Sequence, residues 1–136
     1  MSRRVYCDSS VLLKRFLVEE DSRASVSQLN EFTRGGDHLF SSRIAVVEVT
    51  RGVDKRMPAE ATQEAFDQAL VDVLGDVDII AIDDFTLQLA AEIPGRHLGS
   101  LDAIHVATAL IMRADLVVTR DQRMIEACTE VGLAVA

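Results

Sequence analysis

Tryptophan is absent from this chain of 136 residues, tyrosine occurs once, and aromatic residues make up 4% of it. So few flat side chains leave little for a binding mode built on successive base-stacking platforms. Cysteine is scarce too: Cys7 and Cys128 lie far apart, form no C-x-x-C pair and sit in apolar segments. Neither a disulfide framework nor a thiolate metal site is expected, and both read as reduced, buried thiols. No apolar run approaches the ~18 residues of a membrane span. The N-terminus MSRRVYCDSS passes from two arginines into a short strand pattern without a signal-peptide core, so a cytoplasmic location is expected. Positive charge is also in deficit, with 14 Lys plus Arg against 22 Asp plus Glu and a net charge of −8. That balance argues against broad electrostatic attraction to nucleic acid. A polyanion must then be bound locally or through metal ions, and a concentrated acidic pocket suits divalent cations.

What the chain does have is apolar content, 49% of its residues. At this length it fits one domain over 1–136 that buries roughly 68% of its unfolded surface. Short β-rich runs alternate with helical patterns. RVYC (4–7) reads as a strand ending at Asp8, after which Ser9 or Ser10 caps a helix through VLLKRFLVEE. Ser22 caps a second helix to about Thr33, stopped by Gly35-Gly36. HLFSS is a strand, and RIAVVEVTRGVDKRM a helix that Gly52 weakens. Pro58 opens the next helix, which runs to Gly75. VDIIAI is a strand, Asp83 or Asp84 caps FTLQLAAEI, and Ser100 caps a helix from about Leu101 to Arg113. LVVT (116–119) is a continuous apolar strand, followed by a helix over about 122–131 and LAV as a last short strand. Strands separated by helices imply parallel pairing through right-handed crossovers, hence a three-layer α/β domain with a central parallel sheet flanked by helices.

In such a sheet the functional crevice lies outside the carboxyl ends of the strands. Asp8 and Asp121 each follow a strand, Asp102 opens a helix that begins near that edge, and Glu48 lies about two turns into the helix after HLFSS. Any one of these acids has a local reading, as a helix cap or as the partner of a helix dipole. Glu48 resists it, because its flanks AVVEVT are apolar and burying an isolated carboxylate is costly unless it is paired or binds a metal. Four carboxylates without a companion His or Cys cluster point to Mg²⁺ or Mn²⁺ rather than zinc, and to phosphoryl chemistry. Neutralising Asp8, Glu48 or Asp102 should then relieve repulsion and leave the fold intact or slightly more stable. His38 reads as a strand-edge residue and His97 as a loop residue. His105, one turn after Asp102, is placed to hydrogen-bond to it or to pack.

Four segments in order, VYCDSSVLLKRF, SSRIAVVEVTRG, LGSLDAIHVATAL and LVVTRDQRM, resemble the signature of PIN-domain ribonucleases, and more narrowly the toxins of bacterial VapBC toxin–antitoxin modules. The resemblance covers nearly the whole chain. It implies a PIN-like parallel sheet, Mg²⁺-dependent endoribonuclease activity (Mn²⁺ as a substitute) leaving 5′-phosphate and 3′-hydroxyl ends, and an acidic catalytic and metal site of Asp8, Glu48, Asp102 and Asp121. The fourth acid is the most variable of that pattern. Ser9 and Thr119 match supporting polar positions. Arg15, Arg43, Arg96, Arg120 and Arg123 lie near the motifs and are candidates to grip RNA phosphates. The resemblance also implies a small cognate antitoxin, expected on an apolar groove of the first and third helices, and a toxin homodimer within the hetero-oligomer. A phosphoacceptor receiver domain is disfavoured, since it expects a late lysine and the only lysines are Lys14 and Lys55. An aspartate-nucleophile phosphatase expects an acid where Ser10 stands. A non-catalytic binding module on the same fold is separated from the enzyme only by metal-dependent RNA turnover.

Overall fold

A computed structural model describes residues 2–136. Its elements follow the sequence: β1 (Arg4–Cys7), α1 (Ser9–Leu13), α2 (Ser22–Arg34), β2 (His38–Ser42), α3 (Arg43–Arg56), α4 (Gln63–Leu74), β3 (Val77–Ile80), α5 (Asp84–Glu92), α6 (Ser100–Ile111), β4 (Leu116–Val118) and α7 (Gln122–Glu130). The strands form one parallel sheet in the order β3-β2-β1-β4. In register, Tyr6 on β1 lies between Phe40 on β2 and Val117 on β4. All four strands therefore end at one edge, with β1 at the centre where the order reverses.

Alternation along each strand feeds two cores. Val5, Cys7, Leu39, Val77 and Val118 pack with Val11, Leu12, Leu29, Val49, Val53, Ala69 and Val73 from α1 to α4. Tyr6, Phe40 and Val117 face the opposite way, onto Val106 and Ala109 of α6 and Met124, Ala127 and Cys128 of α7. The result is the expected three-layer α/β arrangement. Among the described residues no helix is long and apolar enough to cross a membrane. Cys7 and Cys128 are free and buried, and burial raises their thiols to about 12 and about 11. They are inert packing groups at neutral pH.

Element ends differ from the sequence reading where side chains intervene. The first helix stops at Leu13 rather than running through Glu20, because the Lys14 ammonium bonds both Glu19 and Asp21 (2.8 Å each) and the chain turns back. Pro58 does not open α4; residues 58–61 close a turn, and Thr62 caps the helix by accepting the Ala65 N–H at 3.1 Å. Ser22 and Ser100 sit one position inside their helices, whose caps are Asp21 and Gly99. The last strand is a single bridge, Val117 to Val135. Gly52 does not weaken α3. It lets α1 approach, since a Cβ there would lie 2.6 Å from Leu13 Cδ2.

Candidate active site

Asp8 is the first residue past β1 and occupies the cap position of α1. It is 5% exposed. Its Oδ2 accepts from the hydroxyls of Ser10 (2.8 Å) and Thr119 (2.9 Å). Thr119, the first residue past β4, also accepts the Asp121 N–H at 3.1 Å. Asp121 in turn caps α7 through Oδ1, which accepts the Met124 N–H at 3.0 Å. One hydroxyl thus ties the ends of the neighbouring strands β1 and β4 to both aspartates.

The other two acids arrive on helices. Glu48, in the second turn of α3, receives the Ser9 hydroxyl (2.7 Å) and His105 Nε2 (2.7 Å), both at Oε1. His105 Nε2 also lies 3.1 Å from Ser9 Oγ and 4.0 Å from Asp8 Oδ1, while its Nδ1 meets the Tyr6 hydroxyl. An ionised carboxylate only accepts hydrogen bonds, so Nε2 carries the hydrogen. Asp102 lies in the first turn of α6, where the helix dipole favours a negative charge.

The electrostatics show that the other three acids act on Asp102. Burial raises the Asp102 carboxyl first, and the charges of Asp8 and Asp121, then Glu48, raise it further against a small opposing effect of His105. Burial also pushes Glu48 up, but the hydrogen bonds from His105 and Ser9, with the His105 charge, outweigh it and hold that carboxyl low. Among the described residues no Lys or Arg forms a salt bridge with any of the four. Asp8 Oδ1, Glu48 Oε2, Asp121 Oδ2 and both oxygens of Asp102 have no side-chain or backbone donor among the described residues.

Hard oxygen donors suit Mg²⁺ or Mn²⁺. Among the described residues no three His, Cys, Asp or Glu side chains close into a cage for a metal ion. Mg²⁺ needs none, because it keeps several waters and takes one or two carboxylates directly. Both nitrogens of His105 are occupied by Tyr6 and Glu48, which leaves no imidazole to favour zinc. The donor set therefore fits a hydrated, hard divalent cation.

Other residues read from the sequence are placed unequally. Ser9 and Thr119 do contact acids, Ser9 at Glu48 and Thr119 at Asp8. His105 bonds Glu48 and not Asp102. Arg15 is removed from any role at this edge: it binds Asp76 (2.6 and 3.0 Å) and the Val73 carbonyl (2.9 Å), at the amino edge where β3 begins. Arg43 opens α3 beside the carboxyl end of β2, exposed. Arg96 is exposed in the loop before α6, and Arg123 reaches the same loop through the His97 carbonyl (3.3 Å). Arg120 turns toward α2, bonding Gln28 at 2.8 Å. Sequence reasoning missed Ser10 and Tyr6. The period of two held the signal for Tyr6, which shares the parity of Asp8 and so the side of the sheet that α6 covers.

Comparison with known proteins places this geometry in a family. The PIN domain signature matches residues 5–130. The chain is similar to Ribonuclease VapC46 of Mycobacterium tuberculosis, 34% identical over 134 residues that cover 96% of this chain and 95% of the relative. It is likewise similar to Ribonuclease VapC47 of that organism, 31% identical with 97% and 95% covered. Among solved structures, its fold is similar to that of VapBC2 from Rickettsia felis bound to a promoter DNA fragment, with TM-score 0.72, 15% identity and 98% and 97% covered. FitAcB from Neisseria gonorrhoeae has TM-score 0.68, 22% identity and 96% and 95% covered. With the strand order and acid placement on the page, the chain belongs to the PIN domain family.

Proposed function

We propose that this protein is a Mg²⁺-dependent endoribonuclease that serves as the toxin of a type II toxin–antitoxin pair. The observation that carries the reading is the gathering, at the carboxyl edge of a parallel sheet, of four acids, three of which raise the fourth, Asp102; among the described residues they lack Lys or Arg partners and keep oxygens unbonded. The names of the relatives support RNA as the substrate. Asp8, Glu48, Asp102 and Asp121 would hold the ion, with Mn²⁺ as a substitute. When bound, it supplies activated water and neutralises charge on the phosphate.

The chain's own residues divide the remaining work. Ser10 and Thr119 fix Asp8 by one oxygen and leave the other for the ion; Ser9 and His105 do the same for Glu48. Asp102 has no such tether and is free to follow the substrate. Arg43, Arg96 and Arg123 stand exposed around the edge to hold flanking phosphates. From residue 57 to 95 every charged side chain is acidic, so α4, β3 and α5 repel a polyanion and RNA is steered to the β1–β4 side.

The antitoxin completes the proposal. Val47 on α3 is 50% exposed and Val18, past α1, is fully exposed, while Leu13, Phe16 and Val46 are partly covered. This apolar strip suits an amphipathic helix, and a basic side chain carried by it finds the unpaired acids beside α3. We place it on a homodimer of this chain. The test is turnover of RNA with Mg²⁺, with Mn²⁺ and with chelator: cleavage should need the ion, and cleavage undiminished by chelator would overturn the mechanism. A neighbouring reading frame whose product neither binds this chain nor suppresses cleavage would overturn the antitoxin assignment alone.

A further inference from the structure

We infer that Tyr6 and His105 form a buried positioning pair that sets the carboxylate of Glu48 for the metal ion. The inference rests on the nuclease reading above and adds to it two residues that touch neither RNA nor ion. Tyr6 is the chain's only tyrosine and lies fully buried at the centre of β1. Its ring meets Phe40 edge-on (centroids 5.2 Å apart, planes at 83°) and His105 at 5.7 Å and 70°. Phenylalanine would satisfy that packing. The hydroxyl instead carries a polar group into the core, where its partner is His105 Nδ1.

The imidazole is fully buried as well, and passes the contact on to Glu48 Oε1 at 2.7 Å. The role of Nε2 follows from the acid: ionised Glu48 accepts only, so Nε2 carries a hydrogen, while Nδ1 pairs with the Tyr6 hydroxyl. Ser9 joins the same oxygen, and Oε2 is left without a donor. The relay thus spans β1, α6 and α3 and fixes one oxygen of a carboxylate whose helix would otherwise leave the side chain several rotamers. Partners of this kind, standing behind a metal-holding side chain, typically govern 10–100-fold in affinity or activity.

Tyr6→Phe removes the hydroxyl and keeps the ring. His105→Gln keeps a donor near Nε2 and loses the ring nitrogen that faces Tyr6, whereas His105→Leu loses both. Mn²⁺ uptake by RNA-free protein, read from the loss of the free-ion paramagnetic resonance signal, should weaken about tenfold in Tyr6→Phe and more in His105→Leu, with partial rescue in His105→Gln. In cleavage, kcat should fall in the same order with KM for RNA unchanged, because none of these side chains reaches the RNA. Wild-type uptake with unchanged Mn²⁺ affinity and kcat in Tyr6→Phe and His105→Gln would overturn this inference and leave the nuclease reading standing. No uptake by wild type would overturn both. Nitrogen NMR of the wild-type ring needs no variant: hydrogen on Nε2 is expected, and an Nε2 without hydrogen would overturn the relay even if every variant failed to fold.

Discussion

The two edges of the sheet carry the same kind of side chain and treat it in opposite ways. At the amino edge an aspartate stands immediately before each of β2, β3 and β4. Asp37 takes the Arg3 guanidinium at 2.9 Å, Asp76 takes Arg15, and Asp115 takes the Arg4 backbone N–H at 2.7 Å. At the carboxyl edge Asp8, Glu48 and Asp121 meet hydroxyls, an imidazole and a backbone N–H, Asp102 meets no donor among the described residues, and none of the four pairs with a Lys or Arg among them. Arg3 holds the Asp37 carboxyl below its ordinary range, whereas burial and its acidic neighbours hold Asp102 above. A chain that pairs Asp37 and Asp76 with arginines at one edge leaves the four acids of the other without a Lys or Arg partner among the described residues.

The comparison breaks most visibly in catalysis. Asp8→Asn and Asp102→Asn should each cost cleavage at least the ~100-fold that outer partners of metal sites can cost. Asp37→Asn and Asp76→Asn should leave it unchanged in the same RNA assay. Stability should divide the site itself. Asp102 has a raised folded pKa, so its ionised form penalises the fold; the penalty is absent in acid, where the carboxyl is protonated folded or unfolded, and grows as pH rises through the raised value. Asp102→Asn should therefore melt higher than wild type at neutral pH, and the difference should vanish on acidification.

Glu48 should show the reverse sign. Its folded pKa is lowered, so it contributes stability above the ordinary glutamate range and loses it as pH falls through the lowered value. Glu48→Gln should cost roughly 1.5 kcal/mol, the lower end for hydrogen bonds to a charged group. The sequence alone suggests, from repulsion within the acid cluster, that neutralising any of the three acids is neutral or stabilising; the His105 and Ser9 contacts to Glu48 join residues 57 and 39 positions apart and lie outside that reading. Arg15→Ala should cost about 1 kcal/mol, since it frees a carbonyl as well as an ion pair. Smallest is Asp37→Asn, whose effect on melting should fade with added salt.

Asp8 and Asp121 were legible because each follows a short apolar run, and Glu48 because its flanks are apolar. The parallel three-layer plan followed from alternating periods. What stayed hidden depended on contacts distant in sequence. Arg15 is drawn to Asp76, 61 positions away, and so leaves the edge that its motif suggests. Tyr6 and His105 meet across 99 positions. Helix ends failed for a local reason: Lys14 folded the chain onto Glu19 and Asp21, and the Thr62 hydroxyl capped α4 where Pro58 had promised the start.

The central claim is that the carboxyl edge holds unpaired acids for a divalent cation. It is tested most directly by melting wild type, Asp8→Asn and Asp37→Asn with chelator and across a Mg²⁺ titration. An ion bound only by the folded chain stabilises it by about 2.7 kcal/mol at a hundred times its Kd. Wild type and Asp37→Asn should gain equally and Asp8→Asn should gain little or nothing. Equal gains in all three, or none in wild type, would contradict the account.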